Sequence, residues 1–165
     1  MSPQMLTELL RGQGAHADPL ACVQDLPAEL AARQVAGFPH SVAQLVFHMN
    51  YWMDYDLRRV RGEKPPYPTH NSGSFPATEL VSSEWKELQE QFAELLNQTA
   101  GLADSNQVDL DRHIEATHPS HQKRADTLEA VLWQLVAHNS YHVGQIAMIR
   151  HMLGAWPPRG GGDTW

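Results

Sequence analysis

Four segments of the chain repeat apolar residues at the 3.6-residue period of a helix, and none sustains the alternation of a half-buried strand. A chain without strand-period segments must bury its apolar stripes helix against helix. The first segment is short: Pro3 at a permitted first-turn position, then Met5, Leu6, Leu9 and Leu10, ended by Gly12 and Gly14. A further helical stretch over 20–33 is interrupted at Pro27, whose preceding residue is expected to be extended. The second strong segment follows Pro39, with Ser41 as its N-cap and Val42, Leu45, Val46, Met49, Trp52 and Met53 on one stripe. Arg58, Arg59 and Arg61 suit the negative end of its dipole, and Gly62 closes it.

The third helix opens near Ser83, with Glu84 and Glu87 in its first turns, and carries Trp85, Leu88, Phe92, Leu95 and Leu96 up to Gly101. The fourth has the clearest start: Asp126, Thr127, Leu128 and Glu129 read as a capping box with the aspartate as cap. Its stripe runs from Leu128 through Leu135 and Ile146 to Leu153, and Gly154 with Pro157 and Pro158 stops it. Two long connections, proline-rich over 65–76 and rich in Asp and His over 104–124, cross the surface. The expectation is an all-α fold: a four-helix bundle with long connecting loops, one domain over residues 1–165.

Charge narrows the functions open to such a bundle. Nineteen acidic against twelve basic residues leave a formal charge of −7, which argues against a nucleic-acid or anionic-membrane surface. No apolar stretch approaches the roughly 18 residues of a membrane span. Met1-Ser2-Pro3-Gln4 lacks the basic and apolar regions of a secretory leader. Cys22 is the only cysteine, so no internal disulfide forms, and a cytoplasmic location is expected.

Ten histidines in 165 residues raise the prior for a metal or acid–base site. His138 and His142 stand one turn apart on the fourth helix, so both imidazoles can reach one ion. Random placement alone gives roughly 0.6 such pairs, so position matters more than spacing. Leu135, Ile146 and Ile149 flank the pair and turn it inward, where an unpartnered polar group costs about 1–3 kcal/mol. His48 lies within Leu45, Val46, Met49 and Trp52 on the second helix and meets the pair if the two helices are neighbours. Three inward imidazoles would form a divalent-metal site with positions open to water or substrate; the alternative is three partly buried histidines, each bonded to a carbonyl.

The other histidines read differently. His113, His118 and His121, near Asp109 and Asp111, form a rival but solvated loop cluster. His16 is a loop residue that could approach a pocket, His40 precedes the second helix, and His151 suits the fourth helix's C-terminal dipole. Asp54 and Asp56 are expected on different helix faces as solvated carboxylates. Gly144, costly inside a helix, suggests a close helix crossing beside the site. Trp52, Tyr55, Trp133, Tyr141, Trp156 and Trp165 supply aromatic surface for a pocket, core or interface.

The stretches His40-Ser41-Val42-Ala43-Gln44-Leu45-Val46-Phe47-His48-Met49 and His138-Asn139-Ser140-Tyr141-His142-Val143-Gly144-Gln145-Ile146 resemble the DinB-like superfamily, the DinB/YfiT-related group of metal-dependent enzymes. The shared pattern is a Ser-led helix with one histidine, then a late helix with His-x-x-x-His followed by Gly-Gln. The resemblance implies that His48, His138 and His142 are the metal ligands, within a bundle that is often a homodimer. It also implies chemistry of the kind seen in thiol-dependent S-transferases and an isomerase that uses a low-molecular-weight thiol.

A three-histidine set suits zinc or nickel foremost, with iron or copper also compatible. The working expectation is a metal-dependent S-transferase or hydrolase acting on a small molecule, with no catalytic acid–base residue identified. The opposing readings are a non-catalytic, stress-related protein that binds a metal or small ligand in the same pocket, and a purely structural bundle.

Overall fold

Each long helix starts and stops where local hydrogen bonding requires it. In the computed structural model, which describes residues 2–76, 80, 82–104, 108–118 and 126–160, the helices are α1 (Pro3–Leu10), α2 (Ala21–Gln24), α3 (Ala28–Ala31), α4 (Val42–Val60), α5 (Trp85–Ala103) and α6 (Leu128–Met152). Ser41 caps α4 through a reciprocal box: its Oγ accepts from Gln44 N at 3.3 Å, while its own N–H donates to Gln44 Oε1 at 2.9 Å. Gly62, at φ +86°, follows that helix in the left-handed region that favours glycine.

Two local expectations need correction, and the interruption at Pro27 is met. The cap of α6 is Thr127, whose Oγ1 accepts from Ala130 N at 3.2 Å; the Asp126 carbonyl is instead engaged by Ile114 N at 2.9 Å, outside the helix. The third long helix begins at Trp85, after a 3₁₀ turn over Ser82–Glu84, and continues past Gly101 to Ala103. The 20–33 stretch is two single-turn helices, parted where Pro27 adopts ψ 145°.

Packing arranges the long helices in a ring. α4 packs against both α5 and α6, and α1 packs against the same two, so α1 lies diagonally opposite α4. The stripes meet inside: Leu6 and Leu10 of α1, Leu45, Met49 and Met53 of α4, Phe92 and Leu96 of α5, and Leu132, Leu135 and Ile146 of α6 are all buried. Met5, expected on the buried face of α1, is 45% exposed, because the short helix contacts its neighbours along Leu6 and Leu10. Arg150, buried in the last turn of α6, donates to Cys22 O at 2.6 Å and to Ala155 O, and pairs with Asp25 at 2.8 Å. This one guanidinium ties α2 and the chain after α6 to the bundle. No helix among the described residues is long and apolar enough to cross a membrane.

Two glycines behave oppositely. A Cβ on Gly144 would meet nothing within 4 Å, so no close crossing requires it, contrary to the expectation from sequence. Gly12 has φ +77°, and its Cβ would stand 2.7 Å from the carbonyl oxygens of both His16 and Ala17. Gly144→Ala is therefore expected to stabilise the protein by about 0.5–1 kcal/mol. Gly12→Ala is expected to destabilise it by more than about 1 kcal/mol. Denaturant midpoints of the two variants check the pair.

Candidate metal centre

The neighbouring placement of α4 and α6 brings His48 to His138 and His142. The Nε2 atom of His138 lies 3.0 Å from Nε2 of His48 and 3.2 Å from Nε2 of His142. The three candidate ligand atoms all fall within 4.8 Å of one another, the one group among the described residues that could hold a metal ion. A tetrahedral ion bonded at 2.0–2.1 Å would separate its nitrogens by about 3.4 Å, close to these spacings.

The second ring nitrogens decide which way the lone pairs face. Gln145 Oε1 can only accept, so His142 Nδ1 donates to it at 2.7 Å and leaves Nε2 bare. Gln145 Nε2 in turn donates to Tyr141 Oη at 3.3 Å, which fits that amide orientation. His48 Nδ1 lies 2.9 Å from Ser74 Oγ, an arrangement that likewise frees its Nε2 when the ring donates. His138 Nδ1 is buried with no hydrogen-bond partner among the described residues. With the outer rings protonated at Nδ1, only His138 can place a proton among the three facing nitrogens. One proton satisfies one contact and leaves the other as opposed lone pairs. A cation at their centre satisfies all three, so the donor set fits a divalent metal.

Electrostatics point the same way. Burial, reinforced by the neighbouring rings, pushes His48 down to about 3 and His138 down to about 4; burial also lowers His142. All three are neutral near pH 7, the form in which imidazole binds metals.

The cluster lies in the wall of a cavity of about 570 Å³. Leu45, Trp52, Tyr67, Phe75 and Leu135 give it apolar walls, while Gln134, Gln145 and the 65%-exposed Tyr141 bring polar groups to it. Phe75 is sandwiched between two imidazoles, with ring centroids 3.9 Å from His40 and 4.2 Å from His48. The proline-rich connection therefore supplies Tyr67, Ser74 and Phe75 to the site. Their positions follow no periodic signal, so sequence reading passes over them.

Asp56 also lines the cavity and is only 4% exposed, which corrects the expectation of a solvated carboxylate. Eight residues along α4 rotate its side chain only about 80° past His48, so His48, Trp52 and Asp56 form one stripe. The spacing of four is the signal that places it there. Asp54 does not line the cavity. Burial raises Asp56 to about 6 despite the opposing pull of Arg59, whose Nη1 donates to Asp56 Oδ1 at 2.8 Å.

The remaining histidines lie apart. His16 Nδ1 donates to Ala17 O at 2.8 Å, leaving Nε2 to accept from Ser140 Oγ at 2.9 Å; it pins the loop after α1 to α6 and does not line the cavity. His118 stacks on Tyr67 at 4.0 Å rather than standing solvated, and His113 is exposed. His121 and Trp165 lie outside the described residues. His151 stacks on Trp156 at 5.2 Å; neither Trp133 nor Trp156 lines the cavity.

The model of the DinB superfamily matches residues 13–146. The chain belongs to the DinB superfamily. No curated protein and no solved structure matches it. In this DinB chain the matched span takes in all three clustered histidines, the Ser74 and Gln145 partners, and the loop that carries Tyr67 and Phe75.

A pH dependence follows. The unfolded chain takes up histidine protons near about pH 6.5, whereas the folded cluster resists them until well below that value. Unfolded molecules thus bind more protons in the window between, and stability rises with pH there. Chelator-treated protein should lose stability as pH falls from about 7 towards 4, and His48→Gln should flatten the slope. Thermal melts across that range check it; equal slopes for the two proteins would refute it.

Proposed function

We propose that this protein is a metal-dependent enzyme, a transferase or hydrolase acting on a small molecule, with a low-molecular-weight thiol as the favoured co-substrate. The observation that carries the reading is the convergence of three Nε2 atoms at the wall of an aromatic-lined cavity. His48, His138 and His142 would hold the ion, with zinc or nickel ahead of iron or copper. When bound, a divalent ion supplies Lewis acidity and favours the deprotonated form of a thiol or water. The chain's own contributions are positional. Gln145 and Ser74 hold the Nδ1 sides of His142 and His48, so that their bare nitrogens face inward. Trp52, Tyr67 and Phe75 displace water from the wall on which a small substrate would lie.

A cytoplasmic location accords with this reading, since Cys22 is a buried thiol. We also propose a second copy of the chain as partner. The resemblance supports it, as do Tyr141, Met148 and Met152, all exposed along α6. Sedimentation at micromolar concentration should show a dimer.

Elemental analysis tests the site first. The wild-type chain should carry stoichiometric metal and His142→Ala should carry none, while His118→Ala keeps it. Gln145→Leu should weaken binding about 10–100-fold. Turnover of a panel of electrophiles with small thiols then tests the chemistry. Stoichiometric metal without turnover would transfer the site to the non-catalytic, stress-related binding reading.

A further inference from the structure

The cavity has a second polar end that the histidine cluster does not explain. Asp56 stands eight residues after His48 on α4, about 12 Å away along the helix axis. Its Oδ1 accepts from Arg59, and among the described residues no donor reaches the other oxygen. Asp56 lines the cavity whereas Arg59, fully buried, does not, so the pair presents its anionic side to the interior. A salt bridge serving packing alone has no reason to show that polarity, because a buried pair is a weak source of stability. Trp52 and Tyr67 stand beside the carboxylate on the same wall, 5.4 Å apart between ring centroids. No lysine or arginine lines the cavity among the described residues. A carboxylate flanked by aromatic rings, with no cationic side chain on the cavity wall to take an anionic group, matches an organic ammonium ion.

We propose that Asp56, Trp52 and Tyr67 form an ammonium-binding subsite, so that the substrate or co-substrate carries a cationic amine about two helical turns from its reacting end. The inference takes the cavity as the substrate site, as in the function proposed above, but needs no metal. Trp52 and Tyr67, the latter with one face stacked on His118, supply aromatic surface for the ammonium, and the Asp56 oxygen that Arg59 does not engage accepts one of its hydrogen bonds. The intervening carbon chain lies along the cavity wall between His48 and Asp56.

The test titrates full-length protein, chelator-treated and zinc-loaded, with hexylammonium, hexanol and hexanoate at neutral pH. Binding is read by calorimetry and by the Trp52 indole N–H resonance. Hexylammonium should bind roughly tenfold tighter than hexanol, with hexanoate weakest, and should shift the Trp52 resonance. Asp56→Asn should abolish the preference for the amine while leaving hexanol binding unchanged. If Asp56→Asn loses its helical signal, Tyr67→Leu decides, since removing a loop aromatic should cut the amine preference a few-fold. Equal binding of amine and alcohol by the wild type overturns the subsite, as does an undiminished preference in the folded variant. Amine selectivity without thiol turnover would leave the subsite standing and reject the proposed chemistry; thiol turnover without amine selectivity would do the reverse.

Discussion

Three imidazole nitrogens, with that of His138 only 3.0 Å from His48 and 3.2 Å from His142, form an arrangement that neutral rings cannot satisfy among themselves. Each buried polar group left without a proper partner costs about 1–3 kcal/mol, so the cluster works against the fold that assembles it. The surrounding packing must impose it. Leu45, Met49 and Met53 on α4 and Leu132, Leu135 and Ile146 on α6 are buried around it, and each such side chain contributes about 1.5–3 kcal/mol. A few of these residues outweigh the cost of the histidines. The bundle is therefore preorganised by its apolar core, and the site is the place where that core is deliberately interrupted.

Preorganisation extends to the outer face of each ring. His142 is locked by Gln145, three residues further along the same helix, so its orientation is as rigid as α6 itself. His48 depends on Ser74, which a long proline-rich connection must deliver, and the same connection places Phe75 flat against the His48 ring. The two sides of the cluster thus differ in kind. One is set by helix geometry, and the other by a loop that also forms the cavity wall. Any movement of that loop alters both the tautomer support of His48 and the space available to a ligand.

That division explains what the sequence revealed. Features governed by contacts within one or two turns were legible: the Ser41 box, the stops at Gly62 and Gly154, the His138–His142 spacing, and the stripe that turned His48 inward. The choice of Thr127 over Asp126 as cap was not, because the Asp126 carbonyl is engaged from outside the helix by Ile114 N, distant in sequence. Ser74, Phe75 and Tyr67 had no periodicity to betray them; their role arises from where the loop crosses α4. Gly144 misled because the bare propensity of glycine says nothing about which side of a helix is empty. Asp56 misled for a different reason. A charged residue type points to solvent, although the eight-residue distance from His48 places it near the same face.

The stripe His48, Trp52 and Asp56 has a consequence for selectivity. One rigid helix carries both the nitrogen that opens the site and the carboxylate that would close it, so their separation is fixed by the rise of α4 and not by any loop. A ligand engaging both ends must match that length, and shorter molecules can satisfy only one. Loop residues adjust the width of the cavity through Tyr67 and Phe75, while α4 sets its length. Width would then govern affinity for the carbon skeleton, and length would govern which molecules present their reactive group to the histidines at all.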